Sequence, residues 1–277
     1  MDATGLTRAP RTAGVGHRLW VLLVIVLADF KLKYAGSVLG YVWSIIKPLS
    51  LFLVLYLVFG RIFKLDDLSP FYGLALLIGI VLFSFFSDAT TQGMVALVHR
   101  ESLIRRMKFP RSTITIAATL TAAMTFAVNM VVVAGFVAWE GIVPQLDWLL
   151  LVPLLLELYI FVLGTALILT TLFVSLRDMG QVWELGAQLL FYASPIVYPL
   201  TAVPDWARDV MFLFPFTQVL QDVRALILYE DTSGMTMTAG EASGELGRAL
   251  PIAIALLVFA IGLAIFKRHE PWFAERS

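Results

Sequence analysis

Long apolar runs separated by short polar stretches dominate this chain, and their lengths set its architecture. Runs at Val38–Phe59, Phe71–Val98, Ile114–Trp139, Trp148–Val174, Val182–Tyr198 and Ala249–Phe266 each come near the roughly 20 residues a helix needs to cross a bilayer. They predict six transmembrane helices in an all-α, polytopic fold. The loops Arg61–Pro70 and Glu140–Asp147 are short, which makes the helices they join antiparallel neighbours. An earlier apolar run, Leu19–Leu27, has about nine residues and is too short to cross. With Arg18 and Trp20 on one flank and Asp29, Lys31 and Lys33 on the other, it predicts an amphipathic helix lying in the membrane interface. The stretch from Pro199 to Arg248 is the exception, mixing apolar turns with polar residues. In its first part, 199–230, pieces such as Val210–Phe216 are too short to span. A lipid-exposed irregular backbone would leave polar groups without partners, so this part is expected to pack against the other helices as two short re-entrant helices. Pro204 and Pro215 mark their boundaries, with Asp205 or Trp206 opening the first. The chain thus divides into an N-terminal region with the interfacial helix (1–36), a six-helix membrane domain (37–267) and a tail (268–277).

Composition agrees with lipid as the solvent: 60% of residues are apolar and 14% charged, a balance that soluble domains do not reach. There are no cysteines, which excludes disulfides, thiolate metal sites and thiol catalysis. The formal net charge is zero, so nothing points to nucleic acid. The distribution of Lys and Arg is more informative. With the N-terminus inside, fourteen fall on the inner side and five, namely Arg61, Lys64, Arg208, Arg224 and Arg248, on the outer side. The positive-inside rule then places both termini in the cytoplasm. Residues Met1–Arg18 lack the apolar stretch and cleavage site of a signal peptide, in keeping with that orientation.

No motif for catalysis or energy conversion stands in the sequence. The phosphate-cradling GxxxxGK[ST] loop is absent, as are HExxH, GxSxG and paired metal-ligand spacings. His17, His99 and His269 lie far apart beside basic residues, as solvated interface side chains do. Ionisable residues within the spans are few: Lys47, Asp88, Glu157 and Glu184. They are read as structural or gating groups rather than as the proton relay of a secondary transporter.

One string opens the first span: Lys33-Tyr34-Ala-Gly36-Ser-Val-Leu-Gly40-Tyr41-Val-Trp43, running on to Lys47-Pro48-Leu49. Lys33 and Tyr34 suit a head-group anchor, Gly36 and Gly40 permit close helix approach, and Pro48 is expected to kink the span. The whole string resembles the R-Y-x-G-S-x-L-G-x-x-W-x-x-x-x-P-L opening of the ABC-2 type permeases that export polysaccharides. Between the second and third spans, residues 99–111 carry Glu101, Leu103, Arg105, Arg106, Met107, Phe109, Pro110 and Arg111. They are similar to the family's N-L-I-x-K-x-x-F-P-R segment, with Ser102 where that pattern has Asn. Leu176-Arg177-Asp178-Met179 resembles the family's Y-R-D-I turn, where the two charged residues either cap helix ends or touch the ATPase. Tyr192-Ala-Ser-Pro195-Ile-Val-Tyr198-Pro199 resembles its S-P-V-x-Y-P string. Phe214-Pro215-Phe-Thr217 stands where the family has N-P-L-T.

The resemblance implies the permease of an ABC exporter in a bacterial cytoplasmic membrane. Two copies of the chain would form a channel, driven by two copies of a separate ATPase that binds ATP and Mg, with no cofactor on this chain itself. The segment 99–111 would be the coupling helix, joined by Arg177 and Asp178. The cargo would be a lipid-linked glycan such as O-antigen or teichoic acid; export of a drug or small lipid is the nearer alternative. Lys33, Tyr34, Tyr41, Trp43, Lys47, Tyr56, Tyr192, Pro195, Tyr198, Pro199 and Pro215 are the candidate channel and gate residues. Phe85 and Phe86 join the list of rings able to stack on sugar faces, although membrane aromatics more often serve as belts or core.

Overall fold

The structure, a computed structural model, describes residues 15–33, 40, 42–67, 69–100, 110–229 and 235–270. Among these every regular element is a helix. Besides short 3-10 turns at Leu65–Asp67, Leu146–Leu150 and Leu200–Ala202, they are in chain order α1 (Val15–Lys33), α2 (Val42–Leu55, running on as a π-helix over Tyr56–Ile62), α3 (Tyr72–His99) and α4 (Ser112–Trp139). Then follow α5 (Leu151–Ser175), α6 (Met179–Ala193), α7 (Asp205–Phe212), α8 (Pro215–Ile227) and α9 (Ala239–His269). Tyr34 and Tyr41 of the opening string, and Glu101, Leu103, Arg105, Arg106, Met107 and Phe109 of the coupling segment, lie outside the described residues.

Among the described residues five helices are long and apolar enough to cross a membrane: Val42–Ile62, α3, α4, Leu146–Ser175 and Gly247–His269. The expected fifth span differs from its sequence boundaries. Its helix, α6, has 15 residues and stops at Ala193, five residues before Tyr198, giving a rise of about 22 Å against a hydrocarbon core of about 30 Å. Pro195 and Pro199 explain the stop, since proline removes an amide donor and bars the preceding residue from helical geometry. The two short helices expected after it are present. Pro204 precedes α7, Pro215 opens α8, and the two axes meet at 98°. The last helix begins ten residues earlier than its apolar run, because Thr238 and Glu241 form a reciprocal capping box.

Helix α3 is the centre of the bundle, packed by α2, α4, α5, α6 and α8, and it buries most of its surface whereas α2 buries almost none. Phe85 and Phe86 belong to this core, 5% and 1% exposed, so neither ring is free to meet a sugar. Phe86 stacks on Phe161 of α5 at 5.8 Å, and Phe214 and Phe216 enter the same cluster edge-on or tilted. The corner between α7 and α8 is therefore seated inside the aromatic core. On the far side, α5 and α9 cross closely, and a Cβ on Gly164 would lie 2.6 Å from the backbone of Phe259. Small residues at such a crossing let two helix backbones meet, the main source of packing energy in lipid.

The break after α6 leaves carbonyls that no helix satisfies, and Arg224 of α8 reaches them. Its Nη1 donates to Pro195 O at 2.7 Å and its Nη2 to Ile196 O at 2.8 Å. Nε and Nη2 together reach Ala75 O of α3 at 3.0 and 2.8 Å. Tyr72 adds a hydroxyl donor to Val197 O at 3.0 Å. Arg224, counted in the sequence among the outer-side cations, is fully buried: the amphipathic α8 turns it inward as a structural donor. Gly79 makes room for it, since a Cβ there would lie 2.9 Å from Nη2. Arg224→Met would leave three buried carbonyls short of a donor, at about 1–3 kcal/mol each. The substitution is expected to lower the thermal unfolding midpoint in nanodiscs. Arg224→Lys should recover only part of the loss, because one ammonium cannot reproduce the planar fork. A midpoint unchanged in Arg224→Met would show that these carbonyls do not depend on the guanidinium.

Candidate functional site

A groove of about 1130 Å³ opens along the bundle between α2, α3, α4 and α6, reaching Lys33 of α1 and Phe173 of α5 at its end. Its floor comes from one face of α3, where Ser84, Ser87, Asp88, Thr91 and Gln92 follow at helical spacing, and from Thr125 and Asn129 of α4. Its walls carry rings: Trp43 of α2, Phe83 of α3, and Trp183, Phe191 and Tyr192 of α6. Trp43 and Tyr192 are 53% and 63% exposed and present open faces. Several rings are held from behind. Trp183 Nε1 donates to Thr90 Oγ1 at 3.2 Å, and Phe191 packs edge-on against Phe83 at 5.2 Å.

The groove's charges are largely balanced. Lys47 of α2 meets Asp88 of α3 at 3.8 Å, a pair exposed enough to contribute about 0–1 kcal/mol. Lys33 donates to Thr125 Oγ1 at 3.4 Å, while Arg177 and Glu184 stand at the lining of α6 and the turn before it. Arg177 is exposed, with its guanidinium 5.7 Å from the Phe173 ring centroid. Asp178 occupies the N-cap position of α6, but its carboxyl makes no cap hydrogen bond.

Of the channel and gate candidates, the structure gathers Lys33, Trp43, Lys47 and Tyr192 at this groove, with Arg177 from the coupling set. The others have different places. Tyr56 sits at the distal end of α2, its hydroxyl donating to Asp66 Oδ2 at 3.2 Å beneath Arg61. Tyr198 donates to the carbonyls of Tyr192 and Ala193 at 3.3 and 3.1 Å, straddling the end of α6. Pro195, Pro199 and Pro215 are buried at the breaks. Pro110 is exposed just before α4, and the backbone N–H of Arg111 donates to Glu270 Oε1 at 3.0 Å. Asp88 and Glu184, read from the sequence as structural or gating groups, also line the groove, whereas sequence reasoning missed Phe83, Phe173, Trp183, Phe191 and the uncharged polar residues on the same face of α3. The period of Ser84, Ser87, Thr91 and Gln92 along one face of an otherwise apolar helix was the available signal.

These features define an integral membrane protein of transport type: an all-helical bundle with a polar, ring-walled groove beside a helix that its own chain leaves uncovered. Residues 21–228 match the ABC-2 type transporter family, and the chain belongs to that family, the transmembrane component of ABC transporters. The chain is 27% identical to the O-antigen export system permease protein RfbA of Klebsiella pneumoniae, over 94% of this chain and 96% of that one. It is 26% identical to the RfbA permease of Myxococcus xanthus, over 76% and 80%. It is 23% identical to the polysialic acid transport protein KpsM of Escherichia coli, over 88% and 91%.

The absence of native cysteine makes the groove directly measurable. Thr91→Cys and Ser87→Cys are expected to react with a water-soluble maleimide in nanodiscs, whereas Leu76→Cys, buried in the α3 core, should react only after denaturation. Equal labelling of all three would remove the groove as a hydrated surface.

Proposed function

We propose that this chain is the permease subunit of an ABC exporter that moves a lipid-linked polysaccharide across a bacterial cytoplasmic membrane. The groove carries this reading. Its volume of about 1130 Å³ exceeds the roughly 300–1,000 Å³ of a small-molecule pocket, and it is open along one side rather than closed around a ligand. Hydroxyls and amides on the floor match sugar hydroxyls, and the exposed rings of Trp43 and Tyr192 match the apolar faces of pyranoses. Balanced charge leaves few fixed ions to hold a polymer back. The relatives that export O-antigen and polysialic acid support a glycan cargo over a drug or small lipid.

One copy supplies only part of a channel wall. Helix α2, apolar yet almost unburied within its chain, is the side on which a second copy closes the path. Both termini face the cytoplasm, consistent with the concentration of Lys and Arg at the end that holds α1 and the last turn of α9. That end receives two copies of a separate ATPase, which bind ATP and Mg and dock on the segment 99–111. The α7–α8 pair caps the opposite, external mouth.

Native mass spectrometry of the purified exporter is expected to show two copies of this chain and two of the ATPase; one copy per functional complex would refute the shared channel. Phe109→Ala with Pro110→Ala, or Arg105→Glu with Arg106→Glu, should weaken ATPase docking by about 2 kcal/mol, the usual scale for an aromatic or Arg anchor. Export should fall with membrane insertion unchanged. Normal docking and export in both variants would reduce this segment to a topological marker.

A further inference from the structure

Two contacts flank the segment 101–109, one at each end. Arg100 is the C-cap of α3, and its guanidinium pairs with the carboxylate of Asp29 on α1. Both side chains are mostly withdrawn from solvent, at 24% and 19% exposure. Arg111 stands at the N-cap of α4. Its backbone N–H donates to Glu270 Oε1 at 3.0 Å, and its guanidinium donates to the Glu270 carbonyl. Glu270 is in turn fixed as the cap of α9, its N–H bonded to Phe266 O at 2.9 Å. Neither contact is needed to hold α3 to α4, which share an extensive interface of their own.

We propose that Asp29 and Glu270 are positioning residues that hold the points where the ATPase-docking segment leaves α3 and enters α4. Through them, motion of that segment passes to α1 and α9 as well as to the two helices it joins. The proposal rests on the docking role given to 99–111 above. Its physical basis is reach. Asp29 lies on a helix that packs on α4, and Glu270 ends the helix that crosses α5 at Gly164. A displacement at Arg100 and Arg111 therefore acts on four helices at once, three of which, α1, α3 and α4, contribute to the groove.

The test uses the complete complex of permease and ATPase in liposomes, reading three quantities: ATPase co-purification, ATP hydrolysis and polymer exported per ATP. Asp29→Asn and Glu270→Ala should leave co-purification and hydrolysis close to wild type. Each should lower polymer exported per ATP by about fivefold, equivalent to about 1 kcal/mol at 1.4 kcal/mol per factor of ten. The exchange Asp29→Arg with Arg100→Asp should restore the ratio, which general destabilisation would not allow. An unchanged ratio in Asp29→Asn and Glu270→Ala, with wild-type complex intact, would overturn the positioning role alone. Failure of the wild-type permease to co-purify with any ATPase would instead overturn the docking reading beneath it.

Discussion

A helix that stops inside a packed bundle must give its freed carbonyls a donor, and in this chain one guanidinium does so. Arg224 spans Pro195, Ile196 and Ala75, tying the end of α6 to α3 and to the re-entrant helix α8. Three consequences depend on it. Helix α6 can be short, the chain can turn back through α7 and α8, and Phe214 and Phe216 can enter the aromatic core. Without that donor the break at Pro195 would leave the carbonyls of Pro195 and Ile196 without a partner in an apolar surrounding.

The anchored break also places the groove. Holding the end of α6 against α3 sets Trp183 against Thr90 and leaves Phe191 and Tyr192 lining the same groove as Trp43 of α2. The polar face of α3 then remains uncovered by its own chain. A bundle with α6 packed along the full length of α3 would close that face and leave no path. Shortness of the fifth span and exposure of the polar face of α3 are two results of one proline-terminated helix.

Much of the fold was legible because span length and the 3.6-residue period are strong signals in lipid. The breaks at Pro204 and Pro215 were readable from the chemistry of proline alone. What the sequence concealed was direction. Arg224 counts as a loop cation until α8 is known to turn it inward, and Phe85 and Phe86 count as available rings until α3 is known to be the central helix. Likewise Val182–Tyr198 reads as one apolar run, although Pro195 ends the helix within it. At the groove, the N-terminal string supplied Lys33, Trp43 and Lys47. The facing residues of α3 were hidden because isolated Ser and Thr in a span are as often bonded to their own helix, as Thr90 is to Phe86.

A glycan passing along this groove must pass the exposed ring of Trp43. A photoreactive benzoylphenylalanine placed at Trp43 tests this passage during active export in cells that make the polymer. Ultraviolet irradiation is expected to yield a covalent adduct that migrates as a glycan-bearing species and disappears when polymer synthesis is blocked. Adducts to lipid alone, in cells whose export remains normal, would contradict the groove as the path.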